Sequence, residues 1–395
     1  MDPLDNPYRP GAGTPPPALL GRDALIDAFG VTVRRAVSGA PGKSLMPIGL
    51  RGVGKTVLLN RFGEIALDAG MTTAFIEAPE TGDFRTLLAV RIRKILLGLE
   101  RGGTTRAALR ALRVLKTFTL QLPDGSRLAI DVDAMAGEAD SGNLASDLTD
   151  LLVATGEAAK ARSAGLLLAI DEVQYLEPVE LAALISAVHR TTQLSLPVVL
   201  VGAGLPQLPG LAGDAKSYAE RLFDFPMIGS LSNSDAQGAI AIPAQAAGAD
   251  FTDDALELIV AESQGYPYFL QEWGYHVWNN SAGTPITSDD VTSVRPIVVD
   301  QLDRNFFLVR ADRLTPRERD YLRAMAELGA GPHRSGDIAA MLGVKVESVA
   351  PRRSQLISKG MIFSPAHGDT AFTVPLFDEY LRRTVPHWKR PGAPK

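Results

Sequence analysis

The chain has no cysteine among its 395 residues and only five histidines. The first lack excludes a disulfide framework and any thiolate-held metal. The histidines fall nowhere at ligand spacing, so no structural metal is expected. No apolar run approaches the ~20 residues of a membrane-spanning helix. The segment from Met1 to Pro17 is rich in Pro and Gly and lacks the apolar h-region of a signal peptide. These lacks point to a cytoplasmic protein with no membrane partner. Internal repeats are absent, and low-complexity sequence is confined to the ends. What is present is apolar material, 46% of the residues, enough for a sizeable core. The length suits two or three domains.

Charge is unevenly spread. The net charge is −5, yet Arg313 to Lys395 holds fourteen Lys+Arg against eight Asp+Glu, a balance of +6 that leaves −11 for the rest. A basic C-terminal part on an acidic body points to an anionic partner for that part. An ordinary solvated surface would give the same numbers, so charge alone does not decide.

The richest stretch is Gly49-Leu50-Arg51-Gly52-Val53-Gly54-Lys55-Thr56, which fits Gly-x-x-x-x-Gly-Lys-[Ser/Thr], the phosphate-binding P-loop. Ser44 to Ile48 before it reads as a buried strand, and Val57, Leu58, Leu59, Phe62 and Ile65 after it have helical spacing. Strand, glycine loop and helix N-terminus place several backbone N–H groups around one anion, with the helix dipole behind them. Gly52 and Gly54 permit the positive φ that a close backbone approach needs. Lys55 would reach the β- and γ-phosphates of ATP, and the Thr56 hydroxyl would ligate Mg2+. Gly49, Arg51, Gly52, Val53, Gly54 and Val57 complete the cofactor-binding set. Arg51 is read as shaping the loop rather than as catalytic.

Along the chain, a proline-rich lead-in (1–23) ends in Gly21-Arg22-Asp23, and a helix follows from Ala24 to Val37. Strands are expected at 72–78, 166–170 and 197–201. Helices are expected at 84–99, 143–164 and 179–193. Residues 116–132 read as a hairpin inserted outside the main sheet, because polar and apolar residues alternate about Pro123-Asp124-Gly125-Ser126. Alternating strands and helices predict an α/β fold, a parallel sheet with helices on both faces, over 24–230. An all-helical lid follows (231–300), with helices at 232–247, 252–263, 268–278 and 288–294. A linker (301–312), a winged helix-turn-helix (313–386) and a tail (387–395) complete the chain.

Leu166 to Ile170 ends in Asp171-Glu172, and such a strand is expected to lie beside the P-loop strand. Asp171 would hold the hydration shell of Mg2+. Glu172 would polarise the attacking water. Downstream of a P-loop this pair completes a hydrolytic site. Arg221 sits in Ser217-Tyr218-Ala219-Glu220-Arg221-Leu222-Phe223 on a short helix. It reads either as an arginine finger for a neighbouring subunit or as a surface arginine paired with Glu220 or Asp224.

The order of Gly21-Arg22-Asp23, the P-loop, Asp171-Glu172-Val173-Gln174, the Arg221 segment, a helical lid and a C-terminal helix-turn-helix resembles the origin-recognition-like and archaeal-type AAA+ ATPases. These belong to the wider P-loop group that includes STAND signalling ATPases. The resemblance spans nearly the whole chain. It implies an adenine pocket formed in part by the segment around Gly21 and Arg22. It also implies Arg221 as a finger acting in trans, hence a homo-oligomer. Two departures stand out. The strand 198–201 ends in Gly202-Ala203-Gly204-Leu205-Pro206-Gln207, with no polar first sensor; Gln207 is a late substitute. Tyr268 stands where the second sensor is usually an arginine. Tyr268 and Phe269 read as lid core or an apolar wall near the base. Slow hydrolysis, or ATP as a switch, follows from these departures.

In the C-terminal part, helices at 316–328, 336–342 and 348–359 precede two short strands, 361–364 and 370–374. The third helix would offer Arg352, Arg353, Ser354 and Gln355 to duplex DNA, with His367 in the wing. Many such modules dock proteins instead. The combined expectation is an ATPase, turning ATP to ADP, whose nucleotide state controls a DNA-binding winged helix. The first alternative is a STAND-like switch in which that module docks or inhibits. The second is a scaffold that binds ATP and barely hydrolyses it.

Overall fold

The computed structural model describes residues 1–11, 13–100, 105–122, 130–366 and 368–388, and structural statements concern these. They form two compact units: Arg22–Gly49 with Lys55–Ile228, and Met1–Gly21 with Leu50–Gly54 and Gly229–Lys395.

In the first unit the elements are α1 (Asp23–Val37), β1 (Ser44–Leu45), α2 (Lys55–Asp68), β2 (Met71–Glu77), α3 (Phe84–Glu100), α4 (Arg106–Leu120), α5 (Leu144–Lys160), β3 (Gly165–Asp171), α6 (Pro178–Gln193), β4 (Val198–Gly202), α7 (Leu208–Ala215), α8 (Ala219–Leu222) and β5 (Phe223–Asp224). All pairings are parallel: β2 with β3, β3 with β4, and β1 with β5. Pro47 and Gly49 continue the pairing onto Gly204, whose N–H donates to Pro47 O (3.2 Å) and whose carbonyl accepts from Gly49 N (3.1 Å). The parallel order is therefore β2-β3-β4-β1-β5.

That order corrects one expectation, since β4 lies between the Asp171 strand and the P-loop strand. Ala203 N donates to Ile170 O and Val173 N to Ala203 O, both at 2.9 Å, which fills the facing edge of β3.

Leu166, Leu168 and Ile170 join an apolar cluster with α3, α4, α5 and α6. The alternate residues Leu167 and Ala169 are equally buried and point to the opposite face. There α2 packs on β2 and β3 and is joined to α1 by the Phe29–Phe62 stack, 4.1 Å between ring centroids. Burial on both faces is what a continuous apolar strand such as 166–170 requires.

The hairpin expectation for 116–132 fails. Residues 116–120 are the last turn of α4, and 130–132 are not strand; the turn at 123–129 lies outside the described residues. Ala108, Ala111, Leu112, Leu115 and Phe118 are buried at helical spacing in the same cluster as the strands. Thr117 and Thr119 return their hydroxyls to Arg113 O and Lys116 O, so packing and local bonding override their strand preference.

The second unit holds α9 (Asn233–Ala246), α10 (Asp253–Ser263), α11 (Pro267–Asn280) and α12 (Ser288–Leu302). A π-helical stretch, Asp303–Leu308, and α13 (Val309–Ala311) follow. The expected linker 301–312 is thus helical through 311, because Val291, Val294, Val298 and Leu302 keep an apolar stripe past Pro296. The lead-in is docked in this unit. The buried Tyr8 donates its hydroxyl to Ile240 O (2.6 Å), Asn6 bonds Tyr275 O and Asn279, and Trp278 donates to Asp2 O (2.9 Å).

The C-terminal part has α14 (Pro316–Leu328), β6 (His333–Arg334), α15 (Ser335–Leu342), α16 (Val346–Ser358), β7 (Ile362–Phe363), β8 (Asp369–Phe372) and α17 (Phe377–Thr384). Its antiparallel sheet runs β6-β8-β7, one strand more than expected. His367 and residues 389–395 lie outside the described residues. No helix among the described residues is long and apolar enough to cross a membrane.

Candidate nucleotide site

The P-loop lysine opens α2, and its buried ammonium donates to Gly49 O at 3.0 Å, back across the loop it closes. The next residue, Thr56, donates its hydroxyl to Asp171 Oδ2 at 2.5 Å. Residues 115 positions apart are thereby joined directly, although their strands are not neighbours. Asp171 is 4% exposed. Burial pushes its carboxyl above the ordinary range, against the opposing pull of the Thr56 bond. A hydroxyl and a buried carboxylate are hard oxygen donors of the kind Mg2+ takes, and a cation there would offset the burial penalty on Asp171. The pair therefore fits the ion assigned to it.

Glu172 follows in left-handed backbone conformation, φ 53° and ψ 39°. Its N–H donates to Asp171 Oδ1 (2.8 Å), and its carboxylate accepts from the Gln174 amide. Gln174 closes the Asp171-Glu172-Val173-Gln174 motif, and its residue type and spacing alone assign it no role. Arg221 is exposed on α8 and has no ion pair among the described residues. Asp224, one of its expected partners, pairs with Lys43 at 3.1 Å.

Within the second unit, the loop residues Leu50–Gly54 meet the start of α11. The Tyr266 hydroxyl donates to Arg51 O, and Tyr268 N donates to Gly52 O at 3.3 Å. Gly52 has φ +87°, and a Cβ there would lie 2.9 Å from the Tyr266 ring. Glycine is required twice over, by conformation and by space. Gly54 also has positive φ, +92°. Tyr268 is therefore not simply lid core: its backbone holds the loop while its ring stacks on Phe306 (4.9 Å). Arg310 lies over Phe306 at 3.8 Å, and burial together with Arg51 lowers its pKa to about 10. The only sequence signal for Tyr266 was its place beside Gly265, and Arg310 had none. Gly21, at φ +68°, belongs to this unit beside Asp235; Arg22 caps α1 in the other.

Of the residues assigned to DNA, Arg353 is committed internally. Its guanidinium donates to Thr370 Oγ1 (2.9 Å), Ser364 Oγ (2.7 Å) and Asp369 O (2.9 Å), clasping α16 to the sheet. These bonds engage the guanidinium that was expected to face duplex DNA. Gln355 is exposed and Arg352 half-buried on the same helix.

Residues 18–201 match the AAA ATPase domain family, and residues 304–381 match a domain of unknown function (DUF8462). No curated protein matches. Among solved structures, the Thermotoga maritima RuvB Holliday junction branch migration motor is 15% identical, covering 93% of this chain and 96% of its own, with a TM-score of 0.46. The Aeropyrum pernix Orc1 protein in complex with DNA is 17% identical over 93% of each chain, with a TM-score of 0.47. Cdc6p from Pyrobaculum aerophilum is 14% identical over 98% of each chain, with a TM-score of 0.46.

Proposed function

We propose that this chain, whose residues 18–201 carry an AAA ATPase domain, binds and hydrolyses ATP and uses its nucleotide state to control a C-terminal winged helix that binds duplex DNA. The observation that carries the first half is the Thr56–Asp171 hydrogen bond, which unites the loop motif and the carboxylate motif in one place. The phosphate-binding groups are Gly49, Arg51, Gly52, Val53, Gly54, Lys55, Thr56 and Val57. Gly21 and Arg22 serve the adenine side. Thr56 and Asp171 hold Mg2+, which when bound supplies charge neutralisation at the β- and γ-phosphates. Lys55 adds a second positive charge there. Glu172 orients the water whose oxygen attacks the γ-phosphorus and accepts a proton as the bond to the β-phosphate oxygen breaks, giving ADP and phosphate. Arg221 serves a neighbouring copy, and its exposure, with no ion pair among the described residues, supports that reading over the surface-pair alternative. Turnover is slow, because the end of β4 carries no polar side chain before Gln207.

The second half rests on α16 and the local balance of +6. Arg352 and Gln355 are the groups left to contact DNA. A second reading is favoured by the Arg383–Asp303 pair (2.6 Å), which ties α17 to the π-helical stretch: the module would then be held as a docking or inhibitory element, as in a STAND-like switch. The deciding experiment is ATP turnover with and without duplex DNA, at low and moderate salt, with Glu172→Gln as blank. A DNA-dependent rate that salt abolishes supports the first reading. A real rate indifferent to DNA supports the second.

A further inference from the structure

We propose that Gln174 is the positioning residue for Glu172, supplying from the turn after β3 the polar group that the end of β4 lacks. The proposal rests on the hydrolytic reading above. Three observations carry it. First, the backbone of Glu172 is fixed. It is left-handed, its N–H is held by Asp171 Oδ1, and its carbonyl accepts from Tyr175 N at 2.9 Å. Such a conformation is uncommon for a residue with a side chain and persists where the surroundings impose it. Second, the Gln174 amide has two different partners. Nε2 donates to Glu172 Oε2, and Oε1 accepts from Leu205 N at 3.0 Å. An amide turned the other way would set oxygen against carboxylate and nitrogen against N–H, so the partners fix its orientation. Third, the seat is shaped for it: a Cβ on Gly204 would lie 2.8 Å from Gln174 Oε1.

The consequence is a short, fully bonded path inside the first unit. Lys55 bonds Gly49 O, Gly49 and Pro47 bond Gly204, Leu205 bonds Gln174, and Gln174 bonds Glu172. One carboxylate oxygen of Glu172 is held by Gln174, which leaves Oε1 for the attacking water. The position of the general base is thereby referred to the base of the phosphate loop through a neutral side chain.

Gln174→Glu tests this directly. It keeps the length and the oxygen that accepts from Leu205, and it replaces the donor with a second carboxylate oxygen. Gln174→Met keeps the length and removes both bonds. Steady-state kcat and KM for MgATP, the Kd of a slowly hydrolysed ATP analogue and the Tm are measured for both, beside wild type and Glu172→Gln. We expect kcat to fall about tenfold to hundredfold in both variants, within the span attributable to a mispositioned general base, with KM, Kd and Tm unchanged in Gln174→Glu. A wild-type kcat in Gln174→Glu overturns the positioning role, as does a loss of kcat matched by loss of analogue binding or of Tm. A wild-type rate no higher than the Glu172→Gln blank overturns the hydrolytic reading and the positioning role with it. The two failures differ in the wild-type rate.

Discussion

Glu318 shows how one side chain serves two purposes at once. It is 2% exposed, closes a capping box with Thr315 at the start of α14, and pairs with Lys359 at 2.7 Å. Burial alone would raise its pKa, but the Lys359 and Thr315 bonds outweigh it and hold the carboxyl below the usual range. A carboxyl depressed in the folded state contributes stability above its unfolded pKa, about 4.3, and loses it as pH falls through the folded value. Glu318→Gln keeps an acceptor for Thr315 N and loses the charge paired with Lys359, so it should lower Tm at neutral pH by the equivalent of about 1 kcal/mol. Its further loss of Tm on acidification should be smaller than that of wild type. Thermal melts of both proteins from neutral pH into acid check this. A parallel acid response in the two would remove Glu318 from the account.

Elements were legible where one periodicity spoke alone. The apolar run 166–170 and the helical spans expected at 316–328 and 336–342 fall within a residue or two of β3, α14 and α15. They were misread where two signals competed. In α4 the threonines and phenylalanine near its end mimic strand alternation, while the burial that makes them helical comes from α3 and α5, far off in sequence. The helix expected at 288–294 runs on to Leu302 through Pro296, which sits on the exposed side, where its lost N–H costs less. The lead-in was legible only as extended. Its anchor, Tyr8, is invisible without α11, where a Cβ on Gly274 would lie 2.5 Å from the Tyr8 ring. That close fit carries a prediction. Tyr8→Ala empties a fully packed site and should cost about 3–5 kcal/mol, the range of large aromatic truncations. Tyr8→Phe removes only the bond to Ile240 O and should cost about 1 kcal/mol. Urea unfolding of the three proteins measures both steps. Equal midpoints for wild type and Tyr8→Ala would show that the lead-in is not part of the fold.

At the scale of the molecule, the nucleotide motifs were readable because phosphate chemistry dictates residue type at fixed spacing. Lys55, Thr56, Asp171 and Glu172 could be singled out as candidates without coordinates. Tyr266, Arg310 and Gln174 could not, because each acts through a partner set by tertiary position. The same holds for the joint between the helical bundle and the C-terminal part. Phe307 is 1% exposed, and its ring lies 5.9 Å from Phe269, 5.7 Å from Phe377 and 5.3 Å from Tyr380. Through Phe306 the same set of rings reaches Tyr268, whose N–H holds Gly52 O. A chain of close-packed rings has few intermediate arrangements, so it transmits a displacement rather than absorbing it. If nucleotide state governs the C-terminal module, this joint is the route inside the second unit. Phe307→Ala should then leave basal ATP turnover in place and abolish its response to duplex DNA. Phe307→Leu, which refills most of the volume, should restore part of the response. Turnover assays with DNA across both variants read this. A full DNA response in Phe307→Ala would exclude the ring joint as the route. A basal rate that rises in Phe307→Ala would instead identify the joint as the brake of a switch, the second functional reading, because freeing the module would then have released the ATPase.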